Sequence, residues 1–519
     1  MKRRKFLKAA GTAMSLPIFL NGFRLSAMPR RSLFSNLNMD NDRVLVIIQL
    51  NGGNDGLNML IPLDQYDNLA NARLNIIIPE VEILNMTNTL GFHPQMAGVL
   101  DLYNNARLNI IQSVGYPEQN RSHFRSTDIW TSGSPAEESW TTGWLGRYFE
   151  SSHADFPDGY PNEEYPHPFA ITMGSIVSET CQGTAANFSM TLNDPFSLAP
   201  LTQGAPGDVP ETPYGEELEF LRTTIAQSNA YAESVTAAAE SGANRVNYPE
   251  GNRLGEQLKN VALLVSGGLQ TKVYVVSIGG FDTHANQVEA GKPLVGEHST
   301  LLKDLSEAIA AFQADLQAQS LEQRVVGLTF SEFGRQIRSN DSYGTDHGSA
   351  APLMVFGPCV NPGVLGDNPE IPDQVEPQAG VPMQFDFRDV YGSVLMDWFE
   401  VEEEQIKSLL HEDFQYLPVL QPCSAVNAQE AQSFEQEVEV SSFPNPFRNW
   451  ATIRFRSEGE WVKLSIYNSL GNEIRVLANR RLPAGQHEVR FDAHGLPAGN
   501  YYFRLQLDGR QKTKRMVKV

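Results

Sequence analysis

The sequence predicts an α/β fold with a mainly parallel sheet and helices on both faces, followed by a small all-β sandwich at the C-terminus. Apolar runs alternate with helical patterns between about residues 42 and 420, which is typical of a covered parallel sheet. Polar, glycine-flanked turns follow three of these runs, and ligands of such sheets bind at the carboxyl ends of the strands. Residues 438–519 instead contain short alternating strands separated by turn signals.

Each apolar run is predicted to be a strand, and two longer amphipathic stretches are predicted to be helices. The helical stretches are Leu254–Gly267 and Thr300–Leu321, in which apolar residues recur at helical spacing. The strands are Val44–Leu50, Leu108–Val114, Val273–Ile278, Val325–Phe330 and Leu353–Phe356.

Two segments interrupt or end this pattern. Residues 151–252 are rich in Pro, Gly, Asn, Ser and Glu, and we interpret them as an insertion or cap in a domain spanning 42–420. Residues 421–437 have the Gln- and Glu-rich composition of a linker.

The chain of 519 residues carries a formal net charge of -21, with an isoelectric point near 4.9. This charge argues against a nucleic-acid or anionic-membrane binder, although a local basic pocket is compatible with an anionic ester substrate or a surface polymer. The three cysteines, Cys181, Cys359 and Cys423, are too few for a disulfide framework or thiolate metal site, and allow one bridge plus a free thiol.

Residues 1–28 have the pattern of an export signal. Lys2–Lys8 is basic, a moderately apolar stretch runs over Ala9–Phe23, and cleavage is expected near Ser26–Met28. The paired arginines followed by Phe-Leu-Lys resemble a twin-arginine signal, with an ordinary secretory signal as the alternative. Because no other apolar run is long enough to span a bilayer, we expect an exported protein without a transmembrane segment after processing.

The three polar turns predict a metal site. Asp346 and His347 lie in Gly344–Gly348 after one predicted strand, Asp282 and His284 follow another, and Asp55 follows the first. Carboxylates and imidazoles on strand ends suit a divalent ion, either zinc, manganese, magnesium or calcium. Two such ions can clamp the oxygens of a phosphoryl or sulfuryl group.

Ser122 is the candidate nucleophile, because it follows a predicted strand and is flanked by Arg121, His123 and Arg125. The imidazole offers a base, and the guanidinium groups can hold an anionic ester. The alternative interpretation is a helix N-cap followed by a surface histidine. Two nearby hydroxyl groups, those of Ser126 and Thr127, are further nucleophile candidates.

Glu332 and Arg335 follow the strand that ends at Phe330. Glu332 is expected to ligate the metal or to orient His347, and Arg335 to grip a substrate oxyanion. A structural pair at a helix start is the alternative.

Several motifs together resemble the bacterial family known as domain of unknown function 1501, a branch of the alkaline phosphatase and sulfatase superfamily. This resemblance implies that Asp346 and His347 hold one metal together with Asp55, and that Asp282 and His284 serve the other. A formylglycine sulfatase is not expected, because the short motif carrying the modified Cys or Ser is absent. The matching motifs are Leu50–Asn58, Arg121–Phe124, Gly280–His284, Ser331–Arg335 and Gly344–Gly348.

The C-terminal region, 438–519, resembles the sorting domain of type nine secretion. The resemblance implies recognition by export and secretion machinery, and a protein that is secreted or attached at the cell surface. An ordinary carbohydrate- or surface-binding sandwich is the alternative. The motifs in order are Pro444–Pro446, Tyr467–Gly471, Gly499–Tyr501 and the basic stretch Lys512–Lys518.

These features predict an exported, metal-dependent hydrolase of phosphate or sulfate esters. The alternative is a catalytically silent surface protein of the same fold that binds glycans or other polymers. A purely structural surface module would leave the ordered Asp and His turns unexplained.

Overall fold

A computed structural model describes residues 41–198, 212–421, 423, 440–457, 459, 461–468, 473–507 and 510–519, and the short strands β1 (Ile18–Leu20) and β2 (Phe23–Leu25). The paired arginines of the expected signal and most of the expected linker lie outside the described residues. Within the described parts of the chain, no helix is long and apolar enough to cross a membrane.

The α/β unit contains the following strands in chain order: β3 (Val44–Asn51), β4 (Leu60–Pro62), β5 (Leu84–Asn85), β6 (Leu90–Phe92), β7 (Leu108–Gly115), β8 (Ala170–Met173), β9 (Ser189–Leu192), β10 (Val273–Gly279), β11 (Val325–Phe330), β12 (Arg335–Ser339), β13 (Thr345–His347), β14 (Ala351–Phe356), β15 (Gly363–Leu365) and β16 (Phe385–Asp386). The central nine-stranded sheet has the order β15-β7-β14-β11-β3-β10-β8-β9, and β16 also pairs with β7. Only β14 runs antiparallel to its neighbours in this sheet, so the predicted mainly parallel sheet is confirmed.

The helices cover both faces of the sheet. Alternate residues of β3 belong to opposite cores, with Val46 and Ile48 on one face and Leu45 and Ile47 on the other. In chain order the α-helices are α1 (Gly56–Met59), α2 (Tyr66–Ala72), α3 (Ala97–Asn104), α4 (His123–Ser132), α5 (Trp144–Ser152), α6 (Pro213–Ser241), α7 (Arg253–Ser266), α8 (Glu297–Ala318), α9 (Phe387–Phe399) and α10 (Glu403–Leu409). Short 3-10 turns occupy Leu63–Gln65, Glu80–Glu82, Glu179–Cys181 and Glu322–Arg324.

The segment 151–252, interpreted as an insertion, is in part a piece of the sheet. It supplies β8 and β9, which extend the sheet beyond β10, and then the helix α6. The strands are only four residues long, and the surrounding Pro and Gly residues conceal them from a pattern search. Cys359 and Cys423 form a disulfide, whereas Cys181 is a buried free thiol.

The C-terminal region is an antiparallel sandwich, as predicted. One sheet has the order β17-β18-β21 and the other has the order β20-β19-β22-β23, with a shared apolar core between them. The strands are β17 (Ser441–Phe443), β18 (Trp450–Ser457), β19 (Trp461–Asn468), β20 (Glu473–Arg481), β21 (Gly485–Asp492), β22 (Gly499–Leu507) and β23 (Arg510–Lys518).

The outer face of the four-stranded sheet packs against the α/β unit. Arg504 of β22 is buried with its guanidinium 4.1 Å from the ring centroid of Tyr416 and 5.0 Å from that of Tyr467. It also donates a hydrogen bond to the Tyr416 hydroxyl, which in turn donates to Asp397 Oδ2 at 2.7 Å. The Tyr502 hydroxyl donates to the Val364 carbonyl at 3.3 Å. A buried cation and two tyrosines therefore join the two units.

Candidate metal centre

The carboxyl ends of β7, β3, β10 and β11 bring the polar turns to one edge of the sheet. The strands that pair in parallel around β3 all end there, as expected for a doubly covered sheet. Asp282 and His284 follow β10, and His123 begins α4 after β7. His347 lies on the hairpin β12–β13, where it pairs with Arg335.

Two glycines allow these turns to touch. Gly52 has a φ of +122°, and a Cβ added there would lie 2.3 Å from the Asp282 backbone nitrogen. A Cβ on Gly344 would lie 2.4 Å from the His284 carbonyl oxygen. Both distances are far below van der Waals contact, so only glycine permits this approach of the backbones. The turns that carry the candidate ligands are thus packed directly on one another.

Three imidazoles converge on one carboxylate oxygen. Asp282 Oδ1 lies 3.3 Å from His123 Nε2 and 3.2 Å from the Nε2 atoms of both His284 and His347. The Nε2 atoms of His284 and His347 are themselves 2.8 Å apart. Among the described residues, one such group of three or more has its ligand atoms within 4.8 Å of one another: His123, Asp282 and His347. His284 adjoins two of its members.

Each imidazole is oriented by an acceptor behind it. His123 Nδ1 lies 2.8 Å from Glu332 Oε1, and His284 Nδ1 lies 2.7 Å from Asp346 Oδ1. His347 Nδ1 lies 2.8 Å from the Arg121 carbonyl oxygen. Since these partners only accept hydrogen bonds, we assign the proton of each ring to Nδ1, which leaves an Nε2 lone pair directed at the cluster. His123 Nε2 accordingly has no hydrogen-bond partner.

The carboxylates at the cluster are held ionised. Burial would raise the pKa of Asp282, but the hydrogen bond from Arg335 and the positive charge of that guanidinium outweigh it and lower the pKa to about 2. Burial likewise acts to raise the pKa of Asp346, and hydrogen bonds from His284 and Asn340 outweigh it, so that the net shift is downward. The side chain of Asp282 remains 49 % exposed, which leaves the cluster open to solvent on one side. The centre therefore combines ionised carboxylates, three imidazoles and access from outside.

Glu332 and Asp346, both predicted as metal ligands, lie behind the imidazoles instead, with Asp346 Oδ1 2.7 Å from His284 Nδ1. Glu332 is 2 % exposed, and its Oε1 accepts hydrogen bonds from His123 and from the Gly52 amide at 2.8 Å. Glu332, which was predicted to ligate the metal or to orient His347, therefore lies where it orients His123. Carboxylates in this position fix the tautomer of ligating histidines and raise their basicity.

Asp55 does not reach the cluster. It is fully buried, and Arg73 NH1 donates to its two carboxylate oxygens at 3.1 and 2.8 Å. Gln287 Nε2 donates to Oδ2 at 2.6 Å. Burial acts to raise the pKa of Asp55, but the Arg73 charge and these hydrogen bonds outweigh it and lower the pKa. The metal role predicted for Asp55 does not fit this placement, because its oxygens are already occupied.

The arginines predicted to bind substrate have structural partners. Arg335 is 1 % exposed, and its guanidinium donates to Asp282 Oδ1 and to the carbonyls of Thr345, Phe281, Gly52 and Gly53. Arg335 therefore stabilises the turns by hydrogen bonds, and its guanidinium is not available to bind a substrate oxyanion. Arg125 donates to carbonyls of the loop at residues 135–138. Arg121 donates to the Gln378 carbonyl at 2.9 Å and is partly exposed.

Ser122 directly precedes His123, a member of the cluster. It is exposed and occupies the N-cap position of α4, without a side-chain capping hydrogen bond. Ser126 is fully buried and bonded to the Tyr116 hydroxyl and the Glu332 carbonyl. The alternative nucleophile Ser126 is therefore excluded by its burial, whereas Ser122 keeps a free approach.

Sequence reasoning missed Arg73 and Gln287. Both are completely buried, and Gln287 Oε1 accepts hydrogen bonds from the hydroxyls of Thr283 at 3.2 Å and Thr345 at 2.7 Å. No local motif marks either residue, because other polar residues flank both of them in the sequence. His298 of α8 is also buried, and its Nε2 atom lies 2.9 Å from Asn54 Oδ1.

Comparisons with known proteins identify both parts of the chain. The model of the family described as "Protein of unknown function (DUF1501)" matches residues 42–410. The model described as "Secretion system C-terminal sorting domain" matches residues 441–519, which indicates export to the cell surface or the medium. No curated protein matches the chain.

Three solved structures illustrate the structural likeness. The C-terminal periplasmic domain of EcEptC from Escherichia coli is 9 % identical, with 78 % of this chain and 96 % of that chain covered and a TM-score of 0.34. A protein in the alkaline phosphatase superfamily from Vibrio parahaemolyticus is 10 % identical, with 99 % and 88 % covered and a TM-score of 0.29. The PsFucS1 sulfatase from Pseudoalteromonas sp. is 10 % identical, with 88 % and 84 % covered and a TM-score of 0.33. Likenesses this distant carry no argument about activity.

Proposed function

Because the chain belongs to the DUF1501 family, whose description assigns no activity, we propose a function from the site itself: an exported, metal-dependent hydrolase of phosphate or sulfate esters. The observation that carries the proposal is the convergence of three Nε2 atoms on Asp282 Oδ1. Lone pairs and a carboxylate oxygen at such short range repel one another unless a cation lies among them. A divalent ion relieves that repulsion.

The donor set fits such an ion. Among the four predicted ions, zinc suits imidazole nitrogens best, whereas manganese, magnesium and calcium suit oxygen ligands. His123, His347 and Asp282 would hold the ion, and His284 is the fourth donor beside them. Glu332, Asp346 and the Arg121 carbonyl complete the site by orienting the three rings. His123, predicted as a base, is a ligand in this proposal.

The remaining groups at the site would bind the ester and attack it. A bound divalent ion supplies polarisation of a phosphoryl or sulfuryl oxygen. The first amides of α4 lack intrahelical partners and favour an anionic oxygen beside the cluster. Arg121 offers a partly exposed guanidinium, and the exposed hydroxyl of Ser122 is the candidate nucleophile. The substrate is thus an anionic ester approaching the open side of Asp282.

The test is reconstitution of the whole chain after chelation, followed by assays with 4-nitrophenyl phosphate and 4-nitrophenyl sulfate. We expect turnover of at least one ester that requires zinc or manganese and is lost in Asp282→Asn. The exposed Asp101 of α3 provides the control variant Asp101→Asn, which should keep both metal and turnover. A chain that binds no stoichiometric divalent ion under any loading condition contradicts the proposal.

A catalytically silent binding protein is the second candidate. Two observations favour it: Arg335 is buried, and Arg125 donates its hydrogen bonds to loop carbonyls. Few cationic side chains therefore remain to bind a substrate anion. The same assays separate the two functions. Stoichiometric metal without turnover of either ester supports the silent protein, and metal-dependent turnover excludes it.

A further inference from the structure

Asp55 follows the first strand of the sheet, where the family resemblance implies a metal ligand, yet its surroundings are those of a completed ion pair. Arg73 NH1 contacts both carboxylate oxygens and also lies 3.4 Å from Asn58 Oδ1. Arg73 and Asp55 have side chains that are 0 % and 1 % exposed. One guanidinium nitrogen therefore lies among three side-chain oxygens that would otherwise be available to a second metal ion.

Arg73 is fixed there by its other nitrogens. Nε donates to the Ile337 carbonyl and NH2 to the Gln336 carbonyl, both at 2.9 Å. These carbonyls belong to β12, the strand that pairs with the hairpin residue His347. A guanidinium keeps its charge at every physiological pH, so the charge balance of Asp55 needs no ion. Each of the three guanidinium nitrogens of Arg73 donates a hydrogen bond.

The same pair supports the ligand turns. Gln287 donates to Asp55 through Nε2 and accepts from Thr283 and Thr345 through Oε1. Thr283 lies between Asp282 and His284, and Thr345 directly precedes Asp346. The amide therefore links the buried ion pair to both turns that carry the cluster, and it is itself fully buried.

We infer that the centre is mononuclear: Arg73 is a resident cation in the position of a second ion, and the network of Asp55, Arg73 and Gln287 positions the ligands of the single ion. This inference rests on the proposed metal centre, since it concerns how many ions that centre holds. It assigns Asp55 a positioning role rather than a ligand role.

The test is the number of ions bound by the whole wild-type chain at saturating zinc, measured by elemental analysis after removal of free metal. A count of one per chain is expected. A count of two overturns the inference and leaves the proposed function standing, whereas a count of zero overturns both. Manganese loading gives an independent measurement, because a lone Mn²⁺ shows an isolated six-line paramagnetic spectrum and a close pair shows an exchange-coupled one.

Two variants assign the ion to its ligands. Asp282→Asn should lower the count from one towards zero, whereas Asp55→Asn should leave it at one while lowering the melting temperature of the metal-free chain. If Asp55→Asn folds and its count falls to the level of Asp282→Asn, then Asp55 is a ligand and the inference is wrong. If Asp55→Asn does not fold, the wild-type count and the manganese spectrum decide.

Discussion

Replacing Glu332 with glutamine tests the central geometric claim, that a buried carboxylate prepares His123 for metal. The oxygen of the new amide can accept the same two hydrogen bonds, from His123 Nδ1 and from the Gly52 amide, both now 2.8 Å long. The amide nitrogen would face Ser331 Oγ, which lies 3.4 Å from the present Oε2. Packing is therefore retained, and the variant removes only the negative charge behind the ring.

Loss of such a partner weakens metal binding by about 10- to 100-fold, which corresponds to about 1.4 to 2.8 kcal/mol of binding free energy. Glu332→Ala should do more, because it also leaves the buried Gly52 amide without an acceptor, at a cost of about 1 to 3 kcal/mol of folding free energy. The two variants thus separate the effect of charge from the effect of a lost hydrogen bond.

The assay is competition for zinc against a chromophoric chelator, with the melting temperature of the metal-free chain measured in parallel. For Glu332→Gln we expect weaker zinc binding at nearly unchanged stability, a combination that a merely structural residue would not produce. Glu289, an exposed carboxylate paired with Lys292, provides the control variant Glu289→Gln. Zinc affinity within twofold of wild type in Glu332→Gln would refute the reasoning.

Three further predictions concern the site and the contact between the two units. His284→Ala removes a donor 2.8 Å from His347 Nε2 and should weaken zinc binding at least as much as Glu332→Gln, whereas equal affinity would remove His284 from the ligand set. Ser122→Ala should abolish most turnover of the preferred ester while the metal count stays unchanged, and full turnover would exclude it as nucleophile. Burial raises the pKa of Asp397 to about 6, although the Arg504 charge and the Tyr416 hydrogen bond act to lower it. The protonated carboxyl group is therefore favoured in the folded chain. The stability that this proton contributes is fully present below about pH 4 and is lost as the pH rises through 6. Asp397→Asn should therefore stabilise the chain at pH 7.5, by up to about 3 kcal/mol, and not at pH 4, and a difference independent of pH would contradict this.

The sequence was sufficient for most of the central sheet, because buried parallel strands are continuous apolar runs. The strand Val325–Phe330 was predicted to the residue. By contrast, β23 was interpreted only as the basic stretch Lys512–Lys518, because the arginines and lysines of this edge strand hide the alternation of apolar residues. Charged residues on an edge strand prevent the sheet from pairing with other chains. The same residues make the strand difficult to recognise in the sequence.

The site residues that could be predicted from the sequence are those that lie in short turns directly after strands. Asp282, His284 and His347 stand in short glycine-flanked turns after strands, and the structure brings them together. The partner of Asp55 is 18 residues away on the chain, at the end of a short helix, with no motif to announce it. Whether a carboxylate meets a metal or an arginine depends on tertiary packing, which no local pattern contains.

The contact of Arg504 with Tyr416 and Tyr467 determines which face of the C-terminal sandwich is accessible. In the folded protein this face of the tail is covered, so a receptor meets only the three-stranded sheet and the free strand edges unless it first withdraws the arginine. In a chain whose α/β unit has not folded, Tyr416 is not in place and the same face is bare. The surface of the tail that is accessible therefore depends on whether the α/β unit is folded.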